Sequence, residues 1–159
     1  MTKAYYSAVL DHPLATVWSL VRDFNNYPAY IEGVTESVIE DDKRGDEVGA
    51  VRRFCYLHNW VRQRLVAHSD DDHSLTYSGL EPLSFPEAEG GDVPAPTDYK
   101  GTIQLMPVVD GNRTFIAWWV ELETAPADAD RWHAQFESWI PDWCGSLTRA
   151  LARQSANQL

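Results

Sequence analysis

Two residues in neighbouring strand-like stretches, Arg52 and Gln63, have the most chemistry to offer. Alternation puts Ala50, Arg52, Phe54 and Tyr56 on one side of their stretch, and Val61, Gln63, Leu65 and Ala67 on one side of the next. Alternation alone leaves open which side faces the interior. An inward guanidinium is costly unless it is paired. Two roles answer that cost: a cation that binds a ligand carboxylate or stabilises an enolate, or a structural arginine held by a nearby acid or by backbone carbonyls. Gln63 is likewise either an anchor for a ligand carbonyl or hydroxyl, or a partner that satisfies the groups around Arg52.

Other candidates carry the same double reading. Tyr77, Tyr99 and Trp118 line a cavity or fill a core; in a cavity the tyrosine hydroxyls are donors or weak acids. Trp118 and Trp119 are adjacent in a strand and so point to opposite faces. His58, next to Trp60 at a hairpin tip, is a general base or simply a solvated loop histidine. His68 and His73 bracket Asp70-Asp71-Asp72. That spacing invites a metal, but an acidic hairpin turn accounts for it, and no metal or cofactor is expected. Cys144-Gly145-Ser146 does not form the Gly-x-Ser-x-Gly elbow of a nucleophile. Its small residues let a helix pack closely or admit a ligand.

The elements that position these residues follow from periodicity. Trp132, Phe136, Trp139, Ile140, Trp143, Leu147 and Leu151 recur at spacings of three and four, which predicts a helix over Asp128 to about Gln154. At ~1.5 Å per residue it is about 40 Å long, with Asp128 or Asp130 as N-cap and a kink at Pro141. Upstream, Lys3–Asp11 reads as a strand and residues 14–23 as a short amphipathic helix, with Pro13 at its first turn. Residues 27–31 add a further turn or two of helix. The period then falls to two. Strands are predicted over Val34–Glu40, Glu47–Leu57, Trp60–Ser69, His73–Leu80, Asp98–Val108 and Thr114–Thr124. Most joins are hairpin-length, so the sheet is antiparallel. Residues 81–97 hold four prolines, two glycines and four acids in seventeen positions, the composition of a long loop or lid.

Composition sets the limits. The chain has 159 residues, seven tryptophans, seven tyrosines and a formal charge of −11. The length suits one domain spanning 1–159. The acidity argues against nucleic acid, whose affinity comes from Lys and Arg on phosphates, and against anionic membranes. Cys55 and Cys144 show neither Cys-x-x-Cys nor zinc spacing, which points to a reducing, cytoplasmic setting. No stretch reaches the ~18 apolar residues of a membrane span. Oligomeric state is left open.

The order strand, two short helices, six strands, long helix resembles the START-like helix-grip superfamily (SRPBCC). The opening, with His12-Pro13, Val17-Trp18, Asp23-Phe24 and Tyr27-Pro28-Ala29-Tyr30, resembles its polyketide cyclase/dehydrase branch. Gly49-Ala50-Val51-Arg52, Gln63-Arg64-Leu65, Leu75-Thr76-Tyr77-Ser78, Tyr99-Lys100-Gly101-Thr102-Ile103, Thr114–Trp118 and Gly145–Leu147 resemble more narrowly the branch containing lachrymatory factor synthase. The resemblance implies an α+β fold in which a curved seven-stranded antiparallel sheet wraps the C-terminal helix around an internal cavity. It puts Arg52, Gln63, Leu65, Tyr77, Tyr99, Ile103 and Trp118 on the concave face. It makes the final helix the facing wall, with Trp132 and Phe136 nearest the mouth and Trp139 and Trp143 setting the depth. In that branch an inward Arg and an inward Glu form an acid–base pair. Arg52 matches the first; Gln63 stands where the Glu belongs and cannot titrate.

Three functions are open on this reading. The first is a carrier or binding protein for a small hydrophobic or aromatic, partly oxygenated ligand. The second is a metal-free cyclase, aromatase, dehydratase or isomerase, with Arg52 polarising a carbonyl and Tyr77 or His58 moving protons. The third is a protein-interaction module whose cavity is filled by its own aromatics.

Overall fold

The computed structural model describes residues 1–83, 96 and 98–157. The expected lid over 81–97 therefore lies almost wholly outside the described residues. Strand β1 (Thr2–Leu10) is followed by helices α1 (Leu14–Val21) and α2 (Tyr27–Tyr30). Six strands follow: β2 (Val34–Ile39), β3 (Val51–Tyr56), β4 (Asn59–Ser69), β5 (Ser74–Gly79), β6 (Asp98–Val108) and β7 (Arg113–Glu123). A 3₁₀ turn at Pro126–Asp128 leads into helix α3 (Ala129–Asn157). The strands form one antiparallel sheet in the order β1-β7-β6-β5-β4-β3-β2. This is the helix-grip arrangement, and no described helix is long and apolar enough to cross a membrane.

Local chemistry explains most boundaries. Pro13 stands at the N-cap of α1 rather than inside its first turn; its backbone is extended and its carbonyl accepts the amides of Thr16 and Val17. Asn26 follows α1 and donates its side-chain amide to the Leu20 carbonyl at 2.9 Å, satisfying one orphan acceptor of the helix end. Strand β3 starts at Val51, four residues later than alternation predicts, because Gly49 sits at φ +99° and turns the chain. The β3–β4 hairpin closes on Leu57-His58, both with positive φ (49° and 69°) between the paired residues Tyr56 and Asn59. Two positive φ values give the type I′ twist that such a hairpin needs, here without glycine or asparagine.

One bulge changes the inner face. Leu65 pairs with Tyr77, but Ala67 pairs with Thr76, which leaves Val66 without an opposite number. The side-chain parity flips there. Ala67, predicted to share the face of Leu65, is exposed, and His68 turns inward to stack on Trp18 with ring centroids 5.5 Å apart.

Helix α3 runs as one element across Pro141. Its buried line is Trp132, Phe136, Ile140, Cys144, Leu147 and Leu151, with Trp139 and Trp143 half-buried beside it. Asp130, offered as an N-cap, lies inside the first turn. The helix backbone approaches β1, β7 and α2. Small residues on the inner face of β1, Ala4 and Ala8, permit that approach. Over β3 to β6 the gap between helix and sheet is bridged by side chains, and the candidate site lies there.

Candidate functional site

A single rung of the sheet carries the polar groups. Arg52 on β3 pairs with Gln63 on β4, and Gln63 pairs with Gly79 on β5. Ser78 pairs with Lys100, which sets Tyr99 of β6 across from Gly79. Arg52 is fully buried. Its Nε and one terminal nitrogen donate to Gln63 Oε1 at 3.0 and 2.5 Å, and the other terminal nitrogen donates to the Phe24 carbonyl. Among the described residues no carboxylate pairs with it. Aromatic faces surround the charge instead: the guanidinium carbon lies 3.9 Å from the Tyr27 ring centre, 4.5 Å from Phe24, and 5.0 Å from Phe54 and Tyr77. Desolvated contacts of this kind are each worth up to ~2 kcal/mol. Because Gln63 Oε1 is committed to Arg52, its amide nitrogen faces Tyr99 and donates to the hydroxyl at 3.2 Å.

Two glycines let the tyrosines lie down. A Cβ on Gly79 would fall inside the Tyr99 ring, and one on Gly101 inside the Tyr77 ring. Tyr77 and Gly101 are direct partners across β5 and β6, so the same exchange occurs twice in reciprocal sense. Tyr99 crosses over Gly79 to reach Gln63, and Tyr77 crosses over Gly101 to receive the Trp118 indole N–H at 3.2 Å. Burial pushes the Tyr99 phenol up to about 12 and Tyr77 well above the usual tyrosine range; both are protonated at neutral pH and serve as donors rather than bases.

Above this floor lies a cavity of about 100 Å³. An apolar cavity of about 150 Å³ is enough for benzene. Phe54, Tyr56, Val61 and Val120 line it from the sheet, and Phe136, Trp139 and Trp143 from α3. Its outer end is bounded by the exposed residues Leu57, Asn59, Trp60, Glu81 and Pro82. Trp139 and Trp143 stack with centroids 6.0 Å apart, and Trp143 reaches Trp118 at 5.3 Å. These rings occupy much of the groove and leave the remainder open.

Of the candidate residues, Gln63, Tyr77, Tyr99, Phe136, Trp139 and Trp143 come together around the cavity. Arg52 stands directly behind that lining, screened by Tyr27, Phe54, Gln63 and Tyr77. Leu65, Ile103, Trp118 and Trp132 are buried without forming part of the lining. Trp132 packs against Phe136, with centroids 6.2 Å apart. His58 is exposed at the hairpin tip, between the lining residues Leu57 and Asn59. Tyr27, Tyr56 and Val61 join the lining; Tyr56 and Val61 share the faces of Arg52 and Gln63, a signal the sequence carried. The Phe24 carbonyl and Gly79 had no such signal.

The small residues of α3 have other duties. Burial raises the Cys144 thiol to about 12, which leaves it unreactive at neutral pH. A Cβ on Gly145 would meet only Arg149 of the same helix, at 3.4 Å, so this glycine is not a point of close packing. The Ser146 hydroxyl accepts the Glu32 amide and donates to the Glu32 carboxylate at 3.1 Å, tying α3 to the end of α2.

The His68 and Asp70 pair has a third potential ligand, Asp46, within 4.8 Å. Arg22 already lies among these groups, with one nitrogen 2.8 Å from Asp46 and 3.0 Å from Asp70. Trp18 Nε1 adds a bond to Asp70 at 2.9 Å. The guanidinium supplies the positive charge a metal would bring and holds the Asp70 carboxyl well below the usual carboxylate range. His73 packs edge-on against Trp18 and is outside this group.

Residues 1–155 match the family described as polyketide cyclase / dehydrase and lipid transport. No curated protein matches the chain. Among solved structures, a structural-genomics protein from Nitrosospira multiformis is similar at 23% identity and a TM-score of 0.77, covering 97% of this chain and 99% of that one. The protein XoxI from Bacillus cereus is similar at 19% identity and 0.79, with 98% and 99% covered. The di-domain ARO/CYC protein BexL of the BE-7585A biosynthetic pathway matches at 12% identity and 0.75, over 96% of this chain and 47% of that one. These structural likenesses establish the shared fold. With the family match spanning nearly the whole sequence, the chain belongs to the polyketide cyclase / dehydrase and lipid transport family.

Proposed function

We propose that the protein binds a small, largely apolar, partly oxygenated molecule between the sheet and α3. The observation that carries this reading is the Arg52–Gln63–Tyr99 row beneath an aromatic-walled cavity. Apolar walls supply burial, roughly 25 cal/mol per Å² of apolar surface removed from water. A few fixed polar groups at one end give orientation, as in most small-molecule sites. At about 100 Å³ the cavity is tighter than the ~150 Å³ that holds benzene, so a ligand of one ring enters as Trp139 and Trp143 move aside. Native mass spectrometry of protein purified from its own organism tests the proposal. A co-purifying species of low mass supports it, and ligand-free protein that also binds no small aromatic sinks it.

A second reading, catalysis of cyclase or dehydratase type, is favoured by the buried cation without a carboxylate partner. Arg52 would act through Gln63 and Tyr99 to polarise a substrate carbonyl, which is the electrophilic half of such chemistry. Gln63 cannot take a proton and Tyr77 and Tyr99 hold theirs, so the base would have to come from the substrate, from water or from His58 at the mouth. Given a known ligand, Arg52→Ala separates the readings. Lost turnover with retained binding marks catalysis; a loss of binding in proportion marks a carrier.

A further inference from the structure

The lining of the cavity has a directional hydrogen-bond character. Three of its lining tyrosines, Tyr56, Tyr77 and Tyr99, have hydroxyls bonded alike. Each oxygen already accepts an N–H at 3.2 Å: from Trp143 for Tyr56, from Trp118 for Tyr77 and from Gln63 for Tyr99. Three separate elements, β4, β7 and α3, thus supply one donor each to three phenols. A phenol whose oxygen is occupied has its hydrogen left to give. At the buried end the side-chain amide oxygen is engaged: Gln63 Oε1 takes two N–H bonds from Arg52.

From this pattern we infer that the cavity selects ligands whose buried polar atom is an acceptor with no hydrogen of its own, a ketone, aldehyde or ester carbonyl, over hydrocarbons of the same shape. The inference rests on the reading that the cavity holds a ligand and adds the ligand's chemical class. A carbonyl oxygen with two lone pairs accepts from Tyr99 and a second phenol together. An isosteric hydrocarbon leaves those buried hydrogens without a partner, and discrimination of this kind is large because the unmade bonds are in the protein.

Acetophenone and α-methylstyrene have nearly the same shape and differ by an oxygen against a methylene. The full chain, ¹⁵N-labelled, is titrated with each, and the indole N–H resonances of Trp118 and Trp143 report binding at the cavity. Acetophenone is expected to bind about tenfold tighter, the worth of one or two net hydrogen bonds. Tyr99→Phe is expected to remove most of that preference, in part by tightening α-methylstyrene, which then leaves one fewer buried hydrogen without a partner. In the unmodified protein, the carbonyl stretch of bound acetophenone is expected at lower frequency than in hexane. Equal affinities with an unshifted stretch overturn the donor lining while leaving the cavity as a binding site. If neither compound moves the indole resonances, the ligand-binding reading itself fails, and this inference with it.

Discussion

Tyr99 lies across Gly79, so close that the glycine has no room for a Cβ. The same relation joins Tyr77 to Gly101 on the adjoining strands. Each ring occupies the place of a missing side chain and reaches one strand further than a standing tyrosine would. The polar floor depends on this: without Gly79 the Tyr99 hydroxyl has no path to Gln63.

Gly79→Ala is therefore expected to cost about 1–3 kcal/mol, the usual cost of overpacking a core. In a Tyr99→Ala background the same substitution is expected to cost far less. Urea unfolding of the four proteins gives the coupling directly. Additive effects would mean that the ring has somewhere else to go.

Gln63 holds the only side-chain acceptor for Arg52 among the described residues. Gln63→Leu leaves a buried guanidinium short of two bonds and is expected to destabilise by about 3 kcal/mol or more. Gln63→Glu, which places a carboxylate against the same donors, is expected to fold with near-native stability. Denaturant midpoints for the two variants check the order. A tolerant Gln63→Leu would show that the aromatic faces of Tyr27, Phe24, Phe54 and Tyr77 suffice.

The Asp70 carboxyl is held low chiefly by hydrogen bonds from Arg22 and then from Trp18, and Asp46 is lowered by Arg22 and Arg44. A depressed folded-state value means stability present above the ordinary carboxylate range and lost as pH falls through the folded value. Melting temperature is expected to decline below about pH 4, the unfolded Asp value. Asp70→Asn is expected to flatten that decline while lowering stability at neutral pH. An unchanged acid slope in Asp70→Asn would remove this cluster from the account.

At the alkaline end the sign reverses. Burial raises the Tyr99 phenol to about 12, so the folded state keeps a proton that the unfolded chain releases near pH 10. Stability is expected to fall between those values, and Tyr99→Phe to remove one proton's share of the slope. Tyrosinate absorbance against pH, read with unfolding, tests it; Tyr99 ionising with the exposed tyrosines would contradict its burial.

Much of this architecture was readable before any coordinates. The three-and-four spacing from Trp132 to Leu151 marked α3, and alternation around Arg52 and Gln63 marked the inner face of β3 and β4. The misses have physical causes. The bulge at Val66 inserts one residue, so alternation carried through it put Ala67 where His68 belongs. Cys144, four residues after Ile140, takes the centre of the helix stripe that Trp143 was expected to fill, because a helical period near 3.6 does not choose between adjacent positions. Gly79 facing Tyr99 depends on the register of β5 against β6. Residues 81–97 separate those strands, and no local pattern sets the pairing across so long a join. The Phe24 carbonyl bound to Arg52 is likewise a contact of tertiary structure alone.

The measurement that tests the central claim most directly is a crystal structure of the protein with acetophenone bound. The account expects the aromatic ring against Phe136, Trp139 and Trp143, and the carbonyl oxygen within hydrogen-bonding distance of the Tyr99 hydroxyl. A ligand seated elsewhere, or a groove closed by Trp143 against Trp118 with no ligand density, would contradict it.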